Sequence, residues 1–139
     1  MTSKIALDTN AYRALDEGNP KLRALIKAAP QIAIPIIVLG EIYYGIFLGT
    51  KQEKNLSNLN QVMSISRIEI LHINEATTKI FGEIATELRR KGRPIQQNDM
   101  WIAALCKQYG YSLATADAGF GQILGLEVVS FNIEDAKTW

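Results

Sequence analysis

Four carboxylates occupy positions from which one edge of an α/β sheet would gather them: Asp8, Glu41, Asp99 and Asp117. Asp8 ends the apolar run Ile5-Ala6-Leu7. Glu41 lies inside the apolar stretch from Ile32 to Gly49, Asp99 opens a helical segment, and Asp117 follows the run Ser112-Leu113-Ala114-Thr115. Acids set on apolar elements are costly unless something compensates them. Clustered carboxylates also repel one another, which raises their pKa values. A hard divalent cation with oxygen ligands relieves both costs. Such an ion lowers the pKa of the water it binds and neutralises charge developing on phosphate oxygens. The set therefore predicts metal-dependent phosphodiester cleavage, with Asp8, Glu41, Asp99 and Asp117 as direct or water-mediated ligands to Mg²⁺ or Mn²⁺. The spacing is compatible with one ion or with two.

Each acid also has a plainer reading. Asp8 can cap the helix after it, Asp99 can be a favourable first-turn acid, and Asp117 can be a turn residue before Gly119. Glu41 is harder to dismiss, because Ile37, Val38, Leu39 and Ile42 surround it. Four acids compatible with one edge tip the balance toward ligands.

The elements that must position them are legible in the apolar pattern. Residues 4–8 read as a buried strand, with Thr9 and Asn10 as helix starters. A short helix runs on through Leu15 and ends near Gly18; Pro20 suits the first turn of the next, to about Ala28. Residues 31–34 make a second strand, and Pro35 permits a helix through Phe47, stopping at Gly49. Lys51 to Ile65 is a polar-rich helix, and Ile68 to Leu71 a third strand. Asn74 caps a long helix with one apolar stripe, ending at Arg89-Arg90-Lys91-Gly92. Asn98 is the expected cap of the helix from Asp99. Strand 112–115, a helical piece around Phe120 and a last strand from Glu127 to Ser130 complete the chain. Strands alternating with helices predict a three-layer α/β/α fold around a mainly parallel sheet of about five strands. In such sheets, sites form beyond the carboxyl ends of the strands.

A chain of 139 residues suits one domain spanning 1–139, and 47% hydrophobic with 21% charged residues is ordinary for a folded soluble protein. The net charge of +1 means that nucleic-acid binding must come from local basic clusters. Arg89, Arg90, Lys91 and Arg93 form one, a short loop before Asp99. They read equally well as an RNA-backbone guide and as cations favoured at a helix C-terminus. Cys106 is the single cysteine, so no intramolecular disulfide forms and a reducing cytoplasm is compatible. No secretory signal pattern is apparent. Ile32–Gly49 is apolar enough to raise a membrane span, but Glu41 would sit near its centre and Pro35 splits it. No membrane partner is expected.

The four acidic segments carry a resemblance. Ile5-Ala6-Leu7-Asp8-Thr9-Asn10 resembles the opening motif of PIN-domain nucleases. Val38-Leu39-Gly40-Glu41-Ile42-Tyr43-Tyr44-Gly45 resembles their second motif, a glutamate with glycine four residues later. Asn98-Asp99-Met100-Trp101-Ile102-Ala103-Ala104 resembles the third. Thr115-Ala116-Asp117, with Phe120 and Gly125-Leu126-Glu127-Val128, resembles the fourth. Each motif alone is weak; the ordered set is specific and is most similar to VapC-type toxins of bacterial toxin–antitoxin pairs. The resemblance implies an Mg²⁺-dependent endoribonuclease acting on structured RNA such as tRNA or rRNA, inhibiting translation, and leaving a 5′-phosphate and a 3′-hydroxyl. It implies that the four acids are catalytic, that Thr115 supports them and that Asn10 lines the site. It further implies a homodimer and a cognate antitoxin docked near the site.

Other readings compete. A haloacid-dehalogenase-like phosphatase also places an aspartate after its first strand, but it needs a second acid two residues on, where this chain has Asn10. A receiver-type signalling domain needs a phosphoacceptor near Leu71, where His72 and Asn74 stand. A non-catalytic PIN-like module binding RNA or protein is the third alternative. His72 reads as a surface residue, and Cys106 and Trp101 as core. Tyr43, Tyr44 and Phe47 exceed what one helix face can bury, which suggests a dimer or antitoxin contact.

Overall fold

A computed structural model describes residues 4–133; the ends of the expected domain, residues 1–3 and 134–139, lie outside the described residues. Five short strands form one sheet: β1 (Ile5–Leu7), β2 (Ile32–Pro35), β3 (Ile68–Leu71), β4 (Ser112–Thr115) and β5 (Val128–Ser130). Their spatial order is β3-β2-β1-β4-β5, and every pairing is parallel. Burial explains the strand sequences. The central β1, β2 and β4 are buried at every position, as a sheet covered on both faces requires. The edge strands β3 and β5 are only partly buried.

Six helices cover the sheet: α1 (Thr9–Asp16), α2 (Pro20–Ala28), α3 (Ile36–Leu48), α4 (Gln52–Met63), α5 (Glu75–Arg90) and α6 (Gln97–Tyr109). Side chains alternate across β1. Ile5 and Leu7 pack with Ala11 and Ala14 of α1 and Leu22 of α2. Ala6 joins the larger core of Val38, Ile42, Leu59, Ile84, Leu88 and Ile102 from α3 to α6. Asn74 forms the expected cap, its side chain accepting from Thr77 N–H while the Thr77 hydroxyl accepts from the Asn74 N–H. Gly110 closes α6 at φ +75°, a left-handed conformation that glycine adopts without penalty.

Two expectations need correction. Helix α6 begins at Gln97, from an extended Gln96, so Asn98 is inside the first turn and is not the cap. The chain leaves Pro94 extended and turns helical earlier than the Asn98 signal suggested, which puts Asp99 one step deeper into the helix. The last strand starts at Val128, not Glu127; the Glu127 carboxylate instead accepts from the Ser112 hydroxyl.

Strand order decides where the site must be. From β1 the chain steps to β2 on one side, while β4 pairs on the other. The crevice outside the carboxyl ends of β1 and β4 is therefore a topological switch point.

Candidate active site

Asp8 lies in that crevice and is 94% buried. Its two oxygens have separate partners. One accepts from the Ala11 N–H at 2.8 Å, capping α1, and the other accepts from the Thr115 hydroxyl across the β1/β4 pair. The plain cap reading of Asp8 is thus realised, while its second oxygen stays tied to Thr115 at the strand edge. Thr115 is itself buried, and its hydroxyl oxygen accepts from the Asp117 N–H at 3.0 Å. One side chain therefore ties Asp8 to the segment that carries Asp117.

Asp117 sits just past β4 and is exposed. Its carboxylate accepts from the Gly119 N–H at 2.8 Å, starting the short 3₁₀ turn Ala118–Gln122. Glu41 reaches the same edge from the second turn of α3, where it accepts from the Thr9 hydroxyl at 2.6 Å. Asp99 enters from the first turn of α6 and is half-buried. Together with Asp117, Gly119, Pro94, Ile95 and Gln96 it lines an open depression.

Electrostatics shows that the four acids share one environment. Asp99 is pushed up to about 6, first by burial and then by the charges of Asp117, Glu41 and Asp8. Asp8 is raised as well, again mainly by burial. Its hydrogen bonds from Thr115 and Ala11 oppose that shift, and Asp117 and Glu41 add to it. No basic side chain relieves the cluster: among the described residues the one salt bridge is Lys91–Glu87.

These donors suit a hard divalent cation, being all oxygen, mutually repelling and without a cationic partner. As the side chains stand, however, no three His, Cys, Asp or Glu residues among the described ones are grouped to hold an ion. Asp8, Glu41 and Asp117 are instead satisfied by the donors just named.

Other predicted residues fall differently. Asn10 is exposed in the first turn of α1, and its side chain makes no hydrogen bond among the described residues. Arg89, Arg90 and Arg93 are exposed at the end of α5 and in the loop leading to Pro94 and Ile95. Lys91 has a local role, bonding to Glu87 at 2.9 Å and to the Gln122 carbonyl at 3.3 Å. Cys106 is core, His72 is exposed, and Trp101 stacks on Phe81 at 4.0 Å. On α3, Tyr43 stacks on Phe47, while Tyr44 and Leu48 remain 68% and 70% exposed. Thr9 went unrecognised as a site residue. Only the packing of α1 beside α3 brings its hydroxyl to Glu41, and no local signal encodes that.

A parallel α/β sheet thus brings four acids to the switch point at the carboxyl ends of its strands. The chain belongs to the PIN domain family, which matches residues 5–126. It is similar to Ribonuclease VapC5 of Mycobacterium tuberculosis, 24% identical over 86% of this chain and 87% of that protein. It is also similar to Ribonuclease VapC2 of Rickettsia felis, 42% identical over 52% of this chain and 53% of that protein. Among solved structures, VapBC2 from Rickettsia felis bound to a promoter DNA fragment superposes with a TM-score of 0.78 at 33% identity, covering 93% of this chain and 99% of that one. DNA-bound VapBC from Salmonella typhimurium gives 0.79 at 27% identity, covering 92% and 98%.

Proposed function

We infer that this protein is an endoribonuclease, the toxin of a toxin–antitoxin pair, whose cleavage of RNA inhibits translation. The observation that carries the chemistry is the convergence of Asp8, Glu41, Asp99 and Asp117 on one sheet edge, where the charges of Glu41 and Asp117 help raise Asp8 and Asp99 and, among the described residues, no salt bridge answers them. Relatives named as VapC ribonucleases and neighbours solved as VapBC complexes support the RNA substrate, the cognate antitoxin and the dimer.

The finer mechanism is our reading of the residues. Asp8, Glu41 and Asp99 would hold Mg²⁺, or Mn²⁺ in its place, with Asp117 assisting from the exposed rim. When bound, the ion supplies charge neutralisation at the scissile phosphate and acidifies water. Thr115 fixes the Asp8 carboxylate and Thr9 fixes that of Glu41, so two ligands are aimed before substrate arrives. Water adds in line to phosphorus and the bond to the 3′ oxygen breaks, with that oxygen taking a proton. The products are a 5′-phosphate and a 3′-hydroxyl. Arg89, Arg90 and Arg93, exposed at the end of α5 and in the loop that leads to Pro94 on the rim of the Asp99 depression, guide the RNA backbone, with tRNA or rRNA as the substrate class. The exposed strip of Tyr44, Phe47 and Leu48 is the surface for a protein partner. No helix among the described residues is long and apolar enough to cross a membrane, and the cytoplasm is the proposed location.

The phosphatase alternative gains nothing from the structure: Asn10, where that chemistry needs an acid, is an exposed amide without a site contact. End-group analysis of RNA fragments tests the mechanism. Fragments with 5′-phosphate ends support it; 2′,3′-cyclic phosphate ends would mean attack by the ribose hydroxyl and would refute it.

A further inference from the structure

Gly45, four residues after Glu41, has a neighbour that explains why it is glycine. A Cβ at Gly45 would meet Arg13 Nη2 at 2.7 Å and Cζ at 3.8 Å, and no backbone atom within 4 Å. The open space at Gly45 is occupied by the end of the exposed Arg13 side chain, which a methyl there would displace. Arg13 comes from α1, one turn after Thr9, just as Gly45 lies one turn after Glu41. The two helices thus meet in successive rungs: Thr9 hydroxyl on Glu41 carboxylate, then Arg13 guanidinium on Gly45.

That guanidinium is unspent. Arg13 is exposed, and its side chain makes no hydrogen bond or ion pair among the described residues. Asp16 and Glu17 border the same cleft, together with Tyr12, Ile42 and Asn55, yet neither carboxylate pairs with it. Arginine four residues before glutamate is also the weaker helical orientation for such a pair.

We propose that Arg13, which lies over Gly45, is a substrate-positioning residue that binds an RNA phosphate neighbouring the scissile one. This deepens the nuclease reading and rests on it. Arg13 lies one helical turn, about 5.4 Å, beyond Thr9, which bonds Glu41, a step comparable with that between adjacent phosphates on a strand. The planar fork suits phosphate oxygens bidentately. The need is real, because an anionic strand approaching four carboxylates gets little help from a net charge of +1.

The test separates binding from cleavage. Binding of a short fluorescein-labelled single-stranded RNA of mixed sequence is measured against salt by anisotropy, in Ca²⁺ buffer with the Asp99→Asn background. Loss of one phosphate contact lowers the slope of log K against log salt by about 0.7, and this is expected for Arg13→Gln and for Gly45→Ala, whose methyl displaces the guanidinium. Gly45→Ala adds nothing once Arg13→Gln is present, and Arg13→Lys restores most of the slope. In the otherwise wild-type protein, Arg13→Gln raises KM about tenfold with little change in kcat. A merely structural Arg13 would move the melting temperature and leave the slope alone. An unchanged slope in both single variants, with wild-type cleavage intact, overturns the role of Arg13 and spares the nuclease. Absence of wild-type cleavage overturns the nuclease reading itself.

Discussion

Replacing Asp99 by asparagine should make the metal-free protein more stable while destroying its response to metal. Asp99 titrates near 6 in the fold, against 3.8 for an unperturbed aspartate. The folded state therefore binds a proton that the unfolded state has already released, between pH 3.8 and about 6. Stability falls as pH rises through that window, and the full cost is present above it. A displacement of about two pH units corresponds to about 3 kcal/mol. Asp99 is only half-buried, so solvent screening reduces this by roughly half. Its place in the first turn of α6 returns about 0.5 kcal/mol through the helix dipole. The net cost of the charge is about 1 kcal/mol, or about 4 °C in melting temperature for a domain this size. In EDTA at pH 8, Asp99→Asn should melt about 4 °C above wild type, and at pH 4 the two should coincide. Added Mg²⁺ should raise the wild-type melting temperature by ligand linkage and leave the variant's nearly unchanged. Differential scanning fluorimetry across pH, with and without Mg²⁺, reads all four numbers. A variant less stable than wild type in EDTA at pH 8 would show that the carboxylate is held by favourable contacts, contrary to the repulsion argued for the cluster.

Three further outcomes follow from the contacts. Thr115→Val removes the buried hydroxyl that donates to Asp8, and should cost about 2 kcal/mol by denaturant titration and lower kcat in RNA cleavage. Thr9→Val frees Glu41 at a part-buried position; stability should change by less than about 1 kcal/mol, while the Mg²⁺ concentration for half-maximal cleavage rises severalfold. Asn74→Ala removes the α5 cap far from the acids and should cost about 1 kcal/mol, with kcat unchanged at temperatures where the variant is folded.

The fold was legible because its signals are local. Short apolar runs bounded by Pro35, Gly49 or Asn74 mark element ends by backbone chemistry alone, and alternation of strand and helix specifies the parallel sheet. Asp8 was legible as a strand-end aspartate before a helix start, and the structure shows it capping α1 while its other oxygen accepts from Thr115. The start of α6 was misjudged because Asn98 is a strong capping type, whereas the extended Gln96 obeys the path of the loop from Pro94. Thr9 and Arg13 were hidden for a different reason. Their meaning depends on α1 lying beside α3, two helices separated in sequence by α2 and β2 and brought together only by strand order. Lys91 reads as part of a basic cluster, and the structure adds bonds to Glu87 and the Gln122 carbonyl that the sequence does not announce.

The most direct test of the central claim is cleavage of labelled total RNA by purified, antitoxin-free protein in Mg²⁺ or Mn²⁺ and in EDTA, with Asp8→Asn and Asp99→Asn alongside. The acid cluster predicts discrete fragments with either metal, none in EDTA, and none from either variant although both remain folded. Cleavage undiminished in EDTA, or in a folded Asp99→Asn protein, would contradict it.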